Sequence, residues 1–240
     1  ALGVDLIVAA TAAGTVAAKK ATGTIPIVFV QETDPVASGF VKSLARPGGN
    51  VTGLVTFGDA VLGKQLELLR EAVPGISRVA VIHSSKAPLA TAQLAAMREA
   101  NATLKLNLRM HDVNVEADLE RAFRAIEQER PQGLQVFWTT PTYLHLQRIV
   151  DFARVQRLPA VYGIDEFANA GGLFSYSVNY AEHWRQSVDY VDKILKGAKP
   201  ADLPVRRPTR LELVVNLKAA TAIAIVIPQS VLLRADRVIE

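Results

Sequence analysis

Five near-continuous apolar runs, interrupted only by Gln135, dominate the hydrophobic pattern of this chain, and a short polar patch follows each of them. The runs occupy residues 6–10, 27–30, 79–82, 134–138 and 160–162. A helix-like pattern follows each patch. Apolar strands that do not alternate with polar positions are typical of parallel sheets whose two faces are covered by helices. The pattern therefore predicts an α/β fold of doubly wound parallel sheets with right-handed crossovers.

Helical periodicity is clearest where Leu62, Leu66 and Leu69 recur at i, i+4 and i+7. This spacing predicts a helix from Asp59, as its N-cap, to Val73. The same kind of reasoning predicts further helices and strands. The predicted helices cover 15–21, 36–44, 89–104, 116–129, 142–156, 180–195 and 217–224, and the additional strands cover 50–56, 107–113 and 211–216.

The order of these elements divides the chain into two lobes. Pro74-Gly75 ends a helix, and the strand–helix units that follow form a self-contained half. The segment 173–178 is predicted to connect the lobes. Lobe 1 is therefore predicted to comprise 1–75 and 174–203, and lobe 2 to comprise 76–173 and 204–240.

The first predicted strand follows the start of the chain directly, with no earlier element to complete its sheet. We therefore expect upstream residues to be missing from lobe 1, an export signal among them. A sheet edge left exposed there can pair with another chain. A homodimer through that edge is accordingly an open alternative.

Composition excludes several classes of function. No apolar stretch reaches the 18 residues of a membrane-spanning helix, and the absence of cysteine excludes thiolate catalysis and disulfides. The net charge is +4, but the basic residues are scattered, whereas a nucleic-acid surface needs a dense basic stripe. We expect no nucleic-acid partner.

Metal and cofactor motifs are also missing from the sequence. The four histidines, at positions 83, 111, 145 and 183, show no i, i+4 pairing on a helix. Gly48-Gly49 lies between a helix and a strand, which is the wrong context for a phosphate-binding loop. The sequence therefore predicts neither a metal nor a cofactor.

Candidate binding residues follow from the sheet geometry, because ligands of open parallel sheets bind outside the carboxyl ends of the strands. The polar patches at those ends are the candidates. They consist of Thr11, Glu32, Thr33, Asp34, Ser84, Ser85, Thr139, Thr140, Asp165 and Glu166. Two such lobes would form a cleft that closes on a small polar molecule.

Several of these residues have a structural alternative. Thr11, Asp34 and the serine pair Ser84-Ser85 are also good helix or turn caps. Trp138 and Tyr176 can stack on a planar ligand, but Trp138 ends a buried strand and can equally belong to the core. Tyr176, in the predicted connecting segment, favours the cleft.

The sequence supports an enzymatic role of the same polar patches less well than a binding role. Asp165 with Glu166 could act as a general acid–base pair, although adjacent side chains at a strand end usually point in different directions. His83 beside Ser84 could form a nucleophile–base pair, but no Gly-x-Ser-x-Gly elbow surrounds it. The sequence thus predicts no catalytic residue.

Specific strings of residues carry a resemblance to a known family. Residues 24–29, the Asp-Pro-Val at 34–36 and the string Ser-Leu-Ala-Arg-Pro-Gly-Gly-Asn-Val-Thr-Gly at 43–53 closely resemble a signature of bacterial ABC-transporter substrate-binding proteins. The group is the tryptophan/tyrosine-type family with the type I periplasmic-binding-protein fold. Residues 194–204 and the terminal strings at 216–218, 227–228 and 234–236 are similar to the end of the same family.

The resemblance implies two lobes joined by three crossovers, and an N-terminal strand–helix–strand unit that this chain lacks. It implies an exported protein, periplasmic or anchored outside the cytoplasmic membrane, that delivers its ligand to membrane permease subunits. It also adds Ala12 and Gly163 to the ligand-binding loops. The implied function is the solute-binding component of an ABC importer, with an aromatic amino acid or related carboxylate as ligand.

One departure from the family bears on the ligand. Thr139-Thr140-Pro141 stands where many relatives carry an aspartate suited to an α-ammonium group. Hydroxyls there suit a carboxylate or a sugar-like group. Two alternatives stay open: the effector-binding domain of a sugar-repressor-type transcription regulator, which shares the fold, and an enzyme that uses Asp165, Glu166 or His83.

Overall fold

The structure is a computed structural model that describes residues 3–56, 60–87, 90–208 and 210–240. The strands and helices below are those of this described part. The strands are β1 Ile7–Ala9, β2 Ile27–Glu32, β3 Val51–Val55, β4 Arg78–His83, β5 Asn107–Asp112, β6 Gly133–Val136, β7 Ala160–Tyr162, β8 Phe174–Ser177, β9 Glu212–Asn216 and β10 Arg237–Ile239. The α-helices are α1 Ala12–Ala21, α2 Ala60–Ala72, α3 Ala90–Leu104, α4 Glu116–Glu129, α5 Thr140–Leu144, α6 Leu146–Val155, α7 Asp165–Asn169, α8 Tyr180–Leu195, α9 Leu217–Ala222 and α10 Gln229–Leu232.

The chain folds into two compact α/β units. The first contains the described residues of Ala1–Gly58 and Val178–Arg210, and the second those of Asp59–Ser177 and Leu211–Glu240. These bounds differ from the predicted lobes, which placed α2 and β8 in the first. The core of the second unit explains the difference, because Leu66 and Leu69 of α2 pack with Val79 and Phe174 in one hydrophobic cluster.

The first unit is built on a parallel sheet in the order β1-β2-β3. Its central strand is inaccessible to solvent from Ile27 to Val30. Ile27 and Phe29 pack into one cluster, whereas Val28 packs into another with Tyr190 of α8. An unbroken apolar run results because opposite faces of the same strand are both covered.

A β-bulge interrupts β2 near its end. Phe29 pairs with Gly53 and Glu32 pairs with Val55, so three residue steps on β2 oppose two on β3. Gly53 has φ 149°, and a Cβ atom there would lie 2.0 Å from the carbonyl oxygen of Phe29. Glycine is therefore required where the two backbones approach this closely.

The second unit contains a larger sheet in the order β10-β9-β8-β7-β6-β4-β5. Neighbouring strands are parallel except β8 and β9, which are antiparallel. Strands β4, β6 and β7 are buried almost throughout. The parallel strands β4 to β8 therefore end at a common edge of the sheet, where the first residues of β9 also lie.

Most predicted elements are present, and three segments differ. Residues 36–44 form turns instead of a helix, because Gly39 adopts φ 68° and the amide of Phe40 bonds back to the carbonyl of Pro35. The helix predicted at 142–156 is divided at His145, whose ψ of 22° is not helical. The predicted connection at 173–178 is strand β8, paired with β7 and β9.

Strand β10 was not predicted, because its three residues carry no apolar run of their own. It forms by parallel pairing with β9. The predicted N-cap Asp59 and the predicted helix start at residue 89 lie outside the described residues. In the part of the chain that the structure describes, no helix combines the length and apolarity needed to cross a membrane.

Candidate functional site

In the second unit the predicted loops of three strands meet at one edge of the sheet, beside the end of β5. His83 pairs with Asp112, and Val136 pairs with both Ile82 and Tyr162. Because these strands are parallel and in register, the loops that follow them are neighbours. The structure thereby places Ser84, Ser85, Thr139, Thr140, Gly163, Asp165 and Glu166 along one edge, as an open parallel sheet places its ligand loops.

The serine pair after β4 is bound to the loop after β5. The amide and hydroxyl of Ser85 donate to the two carboxylate oxygens of Asp112 over 2.7 and 2.6 Å. The hydroxyl of Ser84 donates to Oδ1 of Asn114 over 2.7 Å, and Nδ2 of Asn114 donates to Asp112 over 2.9 Å. A ligand that used either hydroxyl would have to share it with this network.

Asp112 is the anionic centre of the network. Burial by itself would raise the pKa of its carboxyl, but hydrogen bonds from Ser85 and Asn114 and the nearby His83 bring that pKa below its usual value. Sequence reasoning missed Asp112 and Asn114. Their signal was the polar residues at the end of strand 107–113, which is the same kind of patch that marked the other strands.

His83 and Ser84 do not form a nucleophile–base pair. The Ser84 hydroxyl donates to Asn114, and Nδ1 of His83 is buried without a hydrogen-bond partner. Burial also lowers the pKa of the His83 imidazole. A neutral histidine at the end of β4 is consistent with packing against Phe137, whose ring centre lies 6.3 Å away.

Thr139 and Thr140 differ in what they can contact. Thr139 is buried and is the N-cap of α5, with its hydroxyl accepting from the amide of Thr142. The hydroxyl of Thr142 in turn donates to the carbonyl of Phe137 over 2.7 Å. Thr140 is exposed. Of the pair, Thr140 is therefore the residue with an accessible side chain.

Asp165 is held by an arginine at the far end of the chain. Nη2 of Arg237 donates to Oδ2 of Asp165 over 2.8 Å, and Nε of Arg237 lies 3.5 Å from Oε1 of Glu212. Asn169 also donates to Asp165. Asp165 thus fixes the start of β10, and Arg237 escaped sequence reasoning because that strand was not predicted.

Glu166 is half-buried beside Asp165. Burial is the main cause that raises the pKa of its carboxyl, and the neighbouring Asp165 raises it further by charge and by a hydrogen bond. Its Oε2 atom is buried without a partner. Glu166 therefore lies beside a carboxylate that is itself paired with Arg237.

Gly163 and Tyr176 also have defined structural roles. A Cβ atom at position 163 would lie 2.9 Å from the backbone nitrogen of Trp138, so glycine permits the close approach of β6 and β7 at their ends. Tyr176 lies in β8, packs against the core and pairs with Leu213. It is a half-buried strand residue, and the prediction that it lies in a connecting segment was wrong.

In the first unit, Thr11 and Ala12 begin α1 after β1. The hydroxyl of Thr11 accepts from the amide of Gly14 over 3.1 Å, which confirms the capping role. Thr11 is exposed and Ala12 is half-buried. The remaining amides of the first turn are those that an anion would find at a helix N-terminus.

Glu32, Thr33 and Asp34 follow the bulge of β2. Oδ1 of Asp34 accepts from the amides of Val36 and Ala37, so this carboxylate caps the turn that replaces the predicted helix. Oε1 of Glu32 accepts from the amide of Thr33 over 3.1 Å, whereas its Oε2 is buried without a partner. Burial raises the pKa of Glu32.

Within the described ranges, no three histidine, aspartate or glutamate side chains come together as metal ligands would. The strand ends instead present hydroxyls, backbone amides and carboxyl groups. Such groups can bind a small organic molecule by hydrogen bonds.

Comparisons with known proteins agree with this arrangement. The ABC transporter substrate binding protein family matches residues 1–239 of the chain. A curated relative, the tyrosine-binding protein of Clostridioides difficile (strain R20291), is 23% identical over 215 residues that cover 88% of this chain. The chain spans 61% of the length of that relative.

Two solved structures are similar over nearly the whole chain. The ABC domain in complex with L-Trp from Streptococcus pneumonia is 25% identical with a TM-score of 0.89, covering 100% of this chain and 82% of that one. A conserved domain protein from Vibrio cholerae O1 biovar El Tor is 28% identical with a TM-score of 0.88, covering 98% of this chain and 78% of that one.

Proposed function

Because the chain belongs to the ABC transporter substrate binding protein family, we propose that it is the solute-binding component of an ABC importer. Its ligand is a small organic molecule with an aromatic ring and a carboxylate. The observation that carries this proposal is the family match over residues 1–239, combined with ligand-type loops at the strand ends of each unit. The names of the relatives, which bind tyrosine and L-Trp, support the aromatic class.

Each unit by itself presents loops of this kind at its strand ends. A ligand stabilises the conformation in which its contacts are made, and so shifts the population towards it. Permease subunits in the membrane would then recognise that arrangement. The protein would work outside the cytoplasmic membrane, where its ligand is available for import.

The ligand carboxylate has a suitable partner in the first turn of α1. Thr11 caps this helix, and its free amides together with the helix dipole favour an anion. In the second unit the exposed Thr140 offers a hydroxyl at the start of α5. These two positions are our candidates for the polar end of the ligand.

The proposed function involves no covalent chemistry. The Ser84 hydroxyl is bonded to Asn114, and Asp165 is paired with Arg237. The Ser84 hydroxyl and the Asp165 carboxylate are therefore already engaged in holding a loop and a strand in place. The ligand should be released unchanged.

The test is isothermal titration calorimetry with L-tryptophan, L-tyrosine, indole-3-propionate, D-ribose and D-galactose, together with thermal shift. We expect saturable binding of at least one aromatic carboxylate and a rise in Tm that grows with its concentration. Mass spectrometry after incubation should return the ligand intact. Sugar binding alone would favour the regulator alternative, whereas conversion of the ligand would favour an enzyme, and either result would overturn the proposal.

Variants test the two candidate positions. Thr11→Ala and Thr140→Val should each weaken binding, because each removes a hydroxyl from a candidate position. Thr24→Ala is the matched control, because Thr24 is also exposed but lies before β2, away from the strand ends. An effect of only one of the two site variants would confine the site to a single unit.

A further inference from the structure

Glu32 is an unusual carboxyl group at the end of the central strand of the first unit. It is the last residue of β2, its side chain is 1% exposed, and it follows the bulge that shifts the register against β3. Bulges commonly redirect a side chain near a functional site. Here the redirected group is one that can ionise.

One oxygen of the Glu32 carboxyl accepts hydrogen bonds and the other does not. Oε1 accepts from the amide of Thr33 over 3.1 Å and from the hydroxyl of Ser38 over 3.5 Å. Oε2 has no solvent access and, among the described residues, no hydrogen-bond partner. A buried carboxyl oxygen without a donor is costly, so the described residues alone leave the site incomplete.

Three other described carboxylates at strand ends have donors in the chain. Asp34 accepts two backbone amides, Asp112 is bonded by Ser85, and Asp165 is paired with Arg237. Glu166 resembles Glu32 in that its Oε2 is also buried without a described partner. Glu32 differs from Glu166 in being almost completely buried, whereas Glu166 is half-buried and lies beside the Asp165 carboxyl.

The missing partner should be a donor, and a positive one. The described groups that act on the ionisation of Glu32 are the amides of Thr33 and Asp34, the hydroxyl of Ser38 and the Asp34 carboxylate, and none is a cation. An ammonium group would supply both the hydrogen bond and the charge. In an enclosed site such a charge-assisted bond is stronger than in water.

We propose that Glu32 binds the protonated amine of the ligand, and that it thereby selects aromatic amino acids over the corresponding deaminated acids. The inference rests on the proposed function. Since Oε2 is enclosed, the amine reaches it as the surrounding residues open and then close over the ligand. The Thr139-Thr140 loop of the second unit holds no carboxylate, which leaves this task to a residue elsewhere in the chain.

Ligand binding should then release a proton. Without ligand, burial raises the pKa of Glu32, and the charge of Asp34 adds to that rise. An ammonium group beside the carboxyl favours the ionised form and lowers that pKa again. Affinity for an amino acid should therefore fall as the pH is lowered towards and below the raised pKa.

The experiment compares ligand pairs that differ only in the amine. L-tryptophan is paired with indole-3-propionate, and L-tyrosine with 3-(4-hydroxyphenyl)propionate, in calorimetric titrations at pH 7. The wild type should prefer each amino acid by roughly 10- to 100-fold, the range that one hydrogen bond between charged groups provides. Titrations in buffers of different ionisation enthalpy, repeated at decreasing pH, should show proton release that grows as the pH approaches the raised pKa, and for the amino acids alone.

Two isosteric variants assign the effect. Glu32→Gln should weaken amino-acid binding by roughly 10- to 100-fold and leave the deaminated acids within about threefold. Glu166→Gln tests the other glutamate with a buried carboxyl oxygen. Glu71→Gln, in α2 and paired with Arg234 away from the strand ends, is the matched control and should retain the preference. The comparison of ligands and the proton release use the wild type, so they stand even where a variant folds poorly.

Failure of this inference can be told from failure of the proposed function. Equal binding of an amino acid and its deaminated partner would overturn the role of Glu32 while leaving the solute-binding function intact. A preference that persists in Glu32→Gln but is lost in Glu166→Gln would assign the amine to the second unit. The absence of binding by all four compounds would overturn the proposed function, and the role of Glu32 with it.

Discussion

The side-chain amide of Gln135 in β6 donates to the side-chain oxygen of Gln65 in α2 over 2.9 Å, across 70 residues of sequence. Both side chains are buried. Gln135 also donates to the carbonyl of Leu62, and Gln65 donates to the carbonyl of Tyr176 in β8. This polar chain joins α2 to the larger sheet and makes the helix part of the second unit.

Replacing Gln65 tests the role of that chain. In Gln65→Leu, the buried side-chain amide of Gln135 loses one acceptor and the carbonyl of Tyr176 loses its donor. We expect the free energy of unfolding of the second unit to fall by about 1–3 kcal/mol in urea titrations. The control Lys64→Ala removes an exposed pair with Glu67 on the same helix and should change it by less than about 0.5 kcal/mol. Equal effects of both variants would contradict the argument.

The close backbone approach at Gly53 predicts a strong local effect. Gly53→Ala places a methyl group against the carbonyl of Phe29 and forces a side chain onto a backbone with φ 149°. The first unit should lose at least about 2 kcal/mol of stability. Its unfolding can be followed by the fluorescence of Trp184 after Trp138→Phe has removed the other tryptophan.

A matched glycine provides the control for this substitution. Gly23 is exposed, and a Cβ atom there would meet nothing within 4 Å. Gly23→Ala should change stability by no more than about 0.5 kcal/mol. If Gly53→Ala changed the stability equally little, β2 and β3 would have to lie farther apart at Gly53 than the structure shows.

His183 predicts how the first unit responds to acid. Burial lowers the pKa of this imidazole below 6.5, although the carbonyls of Val30 and Leu54 offset part of the effect. Below pH 6.5 the His183 imidazole therefore binds a proton in the unfolded chain but not yet in the folded chain. The stability of the first unit falls as the pH falls towards the lowered pKa. The slope contributed by one histidine is at most about 1.4 kcal/mol per pH unit.

The measurement is urea unfolding at pH 7.5 and pH 5.5, read through Trp184. His183→Asn should make the free energy of unfolding of the first unit less dependent on pH, even though the substitution lowers that free energy at both pH values. His83 and His111 of the second unit also have pKa values lowered by burial and should preserve the acid sensitivity of that unit. An unchanged slope in His183→Asn would show that another group causes the effect.

The pair between Arg237 and Asp165 predicts how the last strand is held. Arg237→Gln removes an ion pair whose side chains are 38% and 28% exposed, so solvent screening limits the loss to about 1 kcal/mol or less. Hydrogen exchange should nevertheless become faster at the amides of β10. Arg185→Gln, which removes a more exposed pair with Glu182, should leave exchange at β10 unchanged.

The sequence predicted the fold class and the family, and both are confirmed. Helices α4 and α8 agree with the predicted bounds, and β4 extends the predicted run 79–82 by one residue at each end, because apolar runs and helical periodicity are local signals. Failures occurred where a single residue redirects the chain. Gly39 turns the segment that was predicted as a helix at 36–44, and His145 divides a helix whose periodicity is continuous.

The candidate binding residues remain predictions, but the structure changes what each can do. All of them lie at strand ends or at the first residues of the following helices, except Tyr176 within β8. Thr139, Ser84 and Asp165 are bonded to other parts of the chain, whereas Thr140 is exposed and Glu32 is enclosed with one oxygen unpaired. Only the tertiary structure identified Asp112, Asn114 and Arg237, because each is recognised by the residue to which it is bonded.

The sequence alone determined which segments form buried strands, because a parallel sheet covered on both faces demands unbroken apolar runs, and it fixed the family through its long signature. The tertiary structure decided to which unit α2 and β8 belong, and which polar groups at the strand ends are already paired. Those outcomes depend on partners far apart in the chain, such as Ser84 with Asn114 at a separation of 30 and Asp165 with Arg237 at 72. Hydrogen bonds over such separations follow from strand order and register, which no local pattern of residues encodes.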